Sequence, residues 1–371
     1  MIPVCEPLLG EKEIEYVLDC LKTNWISSKG KYVDIFEEKF ARYCGCNYGI
    51  CTTSGTTALH LALVSAGIKP GDEVILPTFT MIATAFAIIY IGAKPVLVDA
   101  EPETYNMDVT QIEGKITPKT KAIMPVHIYG HPCDMDPIME VAQKNDLWVI
   151  EDAAEAHGAE YQGRKTGGIG HIGCFSFYAN KIITTGEGGM VVTSDEKIAQ
   201  KARSLKDLAH SPDKRYLHTD IAFNYRMTNI QAAIGLAQFE RIDELAAKRR
   251  KNARLYNDLL KSIAGITIPV EKEWAKNVYW MYSILVTDEF GITRDELMDK
   301  LMEKGIDTRA FFLPMHQQPA LNNIGLFAGE RYPVAEDLSR KGMYLPSSTG
   351  LSEDEIRHIC RVIKEVKKET K

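Results

Sequence analysis

Apolar and polar positions change their period along this chain. Through the first two thirds, short continuous apolar runs alternate with longer stretches in which apolar residues recur every three or four positions. The runs fall in DEVILP, KPVLVDA, KAIMPVHIYG, DLWVIEDAAEA, GCFSFYA and GGMVVTS. They lack the strict alternation of a half-exposed strand and read as strands covered on both faces. The stretches TTALHLALVSAG, MIATAFAIIYIG and MDPIMEVAQKN read as helices, the first stopped by Gly67. Apolar strands separated by helices predict an α/β fold with a mostly parallel central sheet flanked by helices. Ligands of such sheets bind in the crevice beyond the carboxyl ends of the strands.

From about residue 230 the pattern changes. One long helical pattern, NIQAAIGLAQFERIDELAAKRRKNARLYNDLLKSI, has room for a single break. Strand-like YWMYSILV, helical RDELMDKLMEKG, strand-like TRAFFLP and a terminal helix, SEDEIRHICRVIKEVKKET, follow it. This reads as a smaller α+β C-terminal domain. The expected division is a large domain over residues 1–245, N-terminal segment included, and a small one over 246–371, joined directly by the long helix. A chain of 371 residues is long enough for two domains.

Composition narrows the classes. Hydrophobic residues make up 45% and charged residues 25%, an ordinary globular mix. A net charge of −6 leaves no general basic field, so neither nucleic acid nor an acidic membrane surface is an expected partner. The densest basic run, Lys248 to Lys251, lies in the long helical pattern and reads as a solvated face. The longest apolar stretch, residues 81–91, is too short to span a bilayer and contains Thr84. The start, MIPVCEPLLG, has no charged region ahead of an apolar core, so no secretory signal is expected. Eight scattered cysteines suit reduced thiols in a cytoplasm. Cys44, Cys46 and Cys51 lack a fourth ligand of metal spacing and read as free thiols, so no metal is expected.

Three features then suggest chemistry. Ser54, Gly55, Thr56 and Thr57 immediately precede a predicted helix. Free amides at a helix start make an anion site, and a simple N-cap by Ser54 or Thr56 explains the same residues. Asp152 falls at the end of a buried strand, where a carboxylate needs a cationic partner or several donors. A protonated heterocyclic nitrogen would serve, and so would an N-cap or a structural ion pair. Lys181 sits in FSFYANKIITTGEGGM, among apolar neighbours and ahead of Gly186, Gly188 and Gly189. A desolvated lysine has a neutral, nucleophilic amine able to form a Schiff base. Alternatively, the side chain snorkels to solvent or pairs with Glu187. Together, a phosphate cradle, a carboxylate for a pyridinium nitrogen and a Schiff-base lysine are what pyridoxal phosphate requires.

The segments TSGTTALHLAL, IEDAAEAHGA, FSFYANKIITTGEGGM and FNYRMTNIQAAIGLAQ together resemble the sugar aminotransferases of fold type I, the pyridoxal phosphate family named after DegT, DnrJ, EryC1 and StrS. The resemblance runs over nearly the whole chain. It implies that Lys181 carries the cofactor, that Asp152 binds its ring nitrogen and that Glu155 reaches its hydroxyl. Gly55 and Thr56 would supply phosphate-binding amides and Ser176 a hydroxyl. Asn224 would reach the phosphate of a neighbouring subunit, which implies a homodimer with shared active sites. Where the family commonly stacks an aromatic ring on the cofactor, this chain offers Met81, with Phe79 pointing elsewhere. On the substrate side the resemblance implies His316, Arg309 and Trp25; His127, His131 and His157 carry no assigned role beyond lying near the cleft. The implied activity is amino transfer from L-glutamate to a nucleotide-linked 4-keto-6-deoxy sugar, with GDP-4-keto-6-deoxymannose the favoured acceptor, and a cytoplasmic location. UDP- and dTDP-linked 3- or 4-keto sugars remain open, as does a regulatory protein that binds the cofactor without turnover. Dehydratase relatives carry a histidine at the lysine position, and Lys181 argues against that activity.

Overall fold

The computed structural model describes residues 1–214 and 216–369. Among these residues, seven strands form the central sheet: β1 (Tyr48–Thr52), β2 (Glu73–Pro77), β3 (Lys94–Val98), β4 (Thr120–Ile123), β5 (Trp148–Asp152), β6 (Ile172–Ser176) and β7 (Gly189–Thr193). Their order is β1-β7-β6-β5-β4-β2-β3. Strands β2 to β6 pair in parallel, as their continuous apolar runs predict. Strand β7 is antiparallel to both neighbours, which the apolar pattern cannot show. This reversal decides where the site forms. The chain leaves β6 at Ser176 and re-enters the sheet at Gly189 on the same edge, so the loop between them lies over the carboxyl ends of β1, β5 and β6. Lys181 is in that loop, which Phe177 and Thr185 close by backbone bonds to Gly188 and Phe177.

Helices α1 (Glu11–Thr23), α2 (Lys31–Tyr43), α3 (Gly55–Ser65), α4 (Ala83–Tyr90), α5 (Met135–Lys144), α6 (Glu196–Lys206), α7 (Asn229–Phe239) and α8 (Ile242–Leu260) surround the sheet or lead away from it. The long helical pattern breaks at Glu240 and Arg241. Helix α8 then passes from one core to another: Leu245 and Ala246 pack with the central sheet, and Ala253, Tyr256 and Leu260 pack with a second cluster. That cluster covers a four-stranded antiparallel sheet of Ile266–Thr267, Tyr282–Val286, Gly342–Leu345 and Arg309–Ala310. The chain crosses between the cores more than once. Ile2 bridges to Ile306 and the Val4 carbonyl accepts from Ser347, while Phe311, Met315, Leu321 and Phe327 return to the first core.

Two expected elements are shorter than the pattern suggests. TRAFFLP pairs only at Arg309–Ala310. One further backbone bond runs from Phe311 to Gly342, after which Met315 turns to donate to the Thr78 carbonyl. KAIMPVHIYG is a strand only to Ile123, because Pro125 has no amide for a ladder. The basic run on α8 is not wholly solvated. Arg249 shares a helix face with Ala246, Ala253 and Tyr256 and is buried with them, its guanidinium donating to the Trp280 carbonyl at 2.7 Å and to Thr349 at 2.8 Å. Lys248 and Lys251 do face solvent, in ion pairs with Glu244 and Glu353.

Candidate active site

A cavity of about 330 Å³ opens at the carboxyl edge of the sheet. Its walls include Gly55, Thr56, Met81, Asp152, Glu155, Ser176 and Lys181. Seven of the residues singled out from the sequence therefore meet, although they span more than 120 positions of chain.

One end of the cavity is the start of α3. Ser54 is the N-cap: its hydroxyl accepts from the Thr57 amide at 3.2 Å, and the Thr57 hydroxyl returns a bond from the Ser54 amide at 2.9 Å. The cap consumes Thr57 and leaves the amides of Gly55 and Thr56 without intrahelical partners. The N-cap reading thus holds for Ser54, and the amides of Gly55 and Thr56 are left available to an anion. A Cβ at position 55 would sit 2.7 Å from Cβ of Ser176, so only glycine lets helix start and hydroxyl approach this closely.

Asp152 ends β5 and is buried. Its Oδ2 accepts from the Thr84 hydroxyl at 2.8 Å, and its Oδ1 from the Ala154 amide at 3.2 Å. Burial pushes its pKa above the ordinary carboxylate value, while those two donors and then Lys181 oppose the shift. Glu155 is also buried, with Oε2 accepting from the Tyr129 amide at 2.7 Å. Burial raises its pKa to about 7, against the pull of the Lys181 charge. Desolvation lowers the pKa of Lys181, and Glu155 and then Asp152 pull it back. The amine neither snorkels nor meets Glu187. It lies 3.7 Å from the centroid of the Trp280 ring.

Met81 stands at the cavity wall, 48% exposed, while Phe79 is fully buried against Tyr129, Phe311 and Phe312. Four other residues lie outside the cavity. Trp25 is 58% exposed just past the end of α1. Arg309 is exposed and bonds to Asp307 and to the Thr308 carbonyl. Asn224 is exposed, in a segment bridged to Asp207. His316 is buried with both ring nitrogens engaged, Nδ1 with Thr78 at 2.9 Å and Nε2 with Glu336 at 3.2 Å. His127 and His131 are likewise buried; His127 Nε2 meets the buried Glu151 at 2.9 Å. His157 lies behind the lysine loop, packed on Phe175 and Phe177. Burial first, and then the Lys181 charge, lower its pKa to about 3.

The sequence reading missed Thr80, Thr84, Tyr178, Asn180, Trp280, Phe312 and Tyr344, all at the cavity wall. Thr84 left a signal, since a hydroxyl inside the most apolar helix of the chain wants a buried partner. Trp280, Phe312 and Tyr344 left none, because they reach the cavity from the second sheet and its connections.

Pyridoxal phosphate fits what is present. The unpartnered amides and Ser176 form a dianion cradle at one end, and Asp152 retains acceptor capacity for a ring nitrogen. Lys181 supplies an amine that burial keeps from being firmly charged. The fold and this arrangement are those of a pyridoxal phosphate-dependent aminotransferase.

The chain belongs to the DegT/DnrJ/EryC1/StrS aminotransferase family, whose model matches residues 7–364. It is thus a pyridoxal phosphate-dependent sugar aminotransferase. It is 47% identical over 366 residues to GDP-perosamine synthase of Caulobacter vibrioides, covering 98% of each chain. Identity with GDP-perosamine synthase of Escherichia coli O157:H7 is 47% over 365 residues, again covering 98% of each. Among solved structures, the pyridoxal phosphate form of Spr1654 from Streptococcus pneumoniae superposes with a TM-score of 0.93 at 29% identity, over 100% of this chain and 99% of that one. No helix among the described residues is long and apolar enough to cross a membrane.

Proposed function

We propose that this protein transfers the amino group of L-glutamate to C4 of GDP-4-keto-6-deoxymannose, producing GDP-perosamine, as a cytoplasmic homodimer. The identity shared with two GDP-perosamine synthases along nearly the whole chain supports the acceptor. The lining of the cavity supports the site roles. Lys181 holds the cofactor, Asp152 its ring nitrogen, Glu155 its hydroxyl, and Gly55, Thr56 and Ser176 its phosphate, with Met81 packed against the ring by its polarisable sulfur. Asn224 reaches the phosphate of the neighbouring subunit. Its place beside an outlying apolar side chain, Ile221 at 91% exposure, supports cover by a second copy. Trp25 and Arg309, both exposed, contact the sugar nucleotide once two copies are joined. His316 has no part in this proposal, because Thr78 and Glu336 occupy its nitrogens.

When bound, pyridoxal phosphate supplies an electron sink that stabilises negative charge on the carbon next to the transferred nitrogen. The chain supplies the rest. Asp152, ionised by its pairing with a ring cation, keeps that ring protonated. Lys181, its pKa lowered by burial, takes the proton from the α-carbon of the amino donor and later gives one to C4 of the acceptor sugar. The apolar surroundings of residues 175–183 keep water from the reacting carbon.

The test is a panel of acceptors. Protein converted by glutamate to the pyridoxamine phosphate form loses its visible absorbance, and GDP-, UDP- and dTDP-linked 4-keto sugars are then offered separately. Recovery of absorbance with the GDP sugar, at a rate at least tenfold above the others, is the expected result. Recovery only with a UDP or dTDP sugar would replace the acceptor. A coloured protein that glutamate does not bleach would point to a binding role without turnover.

A further inference from the structure

Trp280 is packed in the first core, two residues before the Tyr282–Val286 strand of the second sheet, and is 3% exposed. Its carbonyl is fixed by Arg249, and its ring stacks near Tyr129 at 6.5 Å between centroids. Two contacts leave this anchored residue for the lysine loop. Its indole N–H donates to the carbonyl of Asn180 at 2.8 Å, one residue before Lys181. Its ring face lies 3.7 Å from Lys181 Nζ, well within the range of about 6 Å for a cation–π contact. The same Asn180 carbonyl also accepts from the Cys5 thiol at 3.3 Å. The backbone before the lysine is therefore held by a residue that leads into the second sheet and by the N-terminal segment together.

We propose that Trp280 is a positioning residue for Lys181: its N–H fixes the loop that carries the lysine, and its ring face receives the amine whenever the amine is free and protonated. The inference rests on Lys181 being the cofactor lysine. In amino transfer the lysine must leave the cofactor, carry a proton and return. A freed ammonium in this cavity meets the carboxylates of Glu155 and Asp152, the neutral His157 and the Cys5 thiol. Pairing with Glu155 would draw the amine towards a carboxylate assigned to the cofactor hydroxyl. An aromatic face favours the ammonium without accepting a hydrogen bond from it, so the proton stays available for the substrate carbon.

The amine is free in the pyridoxamine phosphate form of the holoenzyme, and its titration can be read there by trace labelling with acetic anhydride. Mass spectrometry of the Lys181 peptide across pH gives the labelling midpoint. Trp280→Leu should lower that midpoint by about one pH unit, from the loss of a desolvated cation–π contact. Trp280→Phe, which keeps a ring face, should restore at least half of the shift. Fluorinated tryptophan incorporated in place of tryptophan keeps the shape and the N–H while weakening the ring's negative face. It should lower the midpoint stepwise with each fluorine, which keeps the test valid if Trp280→Leu does not fold. An unmoved midpoint in the fluorinated series, or a Trp280→Phe midpoint displaced as far as that of Trp280→Leu, would overturn the proposal. Lys181→Ala should abolish the visible colour of the loaded protein. Persisting colour would overturn the lysine assignment beneath the proposal, an outcome distinct from an unmoved midpoint.

Discussion

Thr84→Val removes one hydroxyl and almost no volume. In the structure that hydroxyl is one of two donors to the Asp152 carboxylate, at 2.8 Å, and both residues are buried. A hydrogen bond to a charged group contributes about 1.5–3 kcal/mol. Its loss therefore raises the pKa of Asp152 further beyond the elevation that burial already causes. The cofactor's ring nitrogen needs the ionised carboxylate, so binding must then remove a proton from a larger fraction of the free protein. Where the free protein holds Asp152 protonated, the cofactor dissociation constant should rise about tenfold to a hundredfold. The pH dependence has a definite sign. Below the pKa of Asp152 in the free protein, only the bound state loses the hydrogen bond to a carboxylate, and the deficit is full. Above it, free and bound states both lose that bond, and the deficit shrinks. Cofactor titrations of wild type and variant, followed by visible absorbance from pH 6 to 9, measure this directly. Wild-type affinity at every pH would refute the role given to Thr84, and a uniform deficit would show that it acts on shape and not on charge.

Other perturbations separate the parts of the site. Gly55→Ala places a methyl group 2.7 Å from Cβ of Ser176; a stability loss of about 1–3 kcal/mol by urea denaturation is expected, with weakened phosphate and cofactor binding. Glu155 has its pKa raised to about 7 by burial, so the folded chain without cofactor holds a proton that the unfolded chain has released. Its stability should fall as pH rises from about 4.5 to 7 and level off above, and Glu155→Gln should flatten that fall in melting temperatures across pH. Glu151 accepts from His127 and from the amides of Gly167, Ile169 and Gly170, and it is fully buried. Glu151→Gln turns one acceptor into a donor facing donors, so chemical denaturation should show a loss of about 2–4 kcal/mol.

Much of the site was legible because its parts are local signals. Ser54 and Thr57 mark a helix start wherever the helix is placed. Asp152 follows a run that could only be a buried strand, and strands of such sheets end at the ligand edge. Lys181 among apolar neighbours was open to two readings, and only the Ser54–Thr57 turn and Asp152 beside it pointed to a cofactor lysine. Arg249 shows the limit of the same reasoning. Its charge placed it in a basic run, yet its helical phase beside Ala246 and Ala253 buries it. His316 shows another limit: a histidine in a loop is compatible with a site or a core, and only its contacts with Thr78 and Glu336 decide.

By itself the sequence determined the elements, the parallel character of most of the sheet and the chemistry of the cofactor end, since periodicity, caps and side-chain type act over a few residues. Tertiary structure alone decided that β7 runs against its neighbours, which carries the Lys181 loop across the ligand edge. It also decided that Trp280, Phe312 and Tyr344, which lie on the second sheet and its connections, pack into the first core and close the cavity. Those contacts join residues some 100 positions or more apart in the chain, and no local pattern records a partner at that distance. The free energy that selects them comes from burying both cores at once.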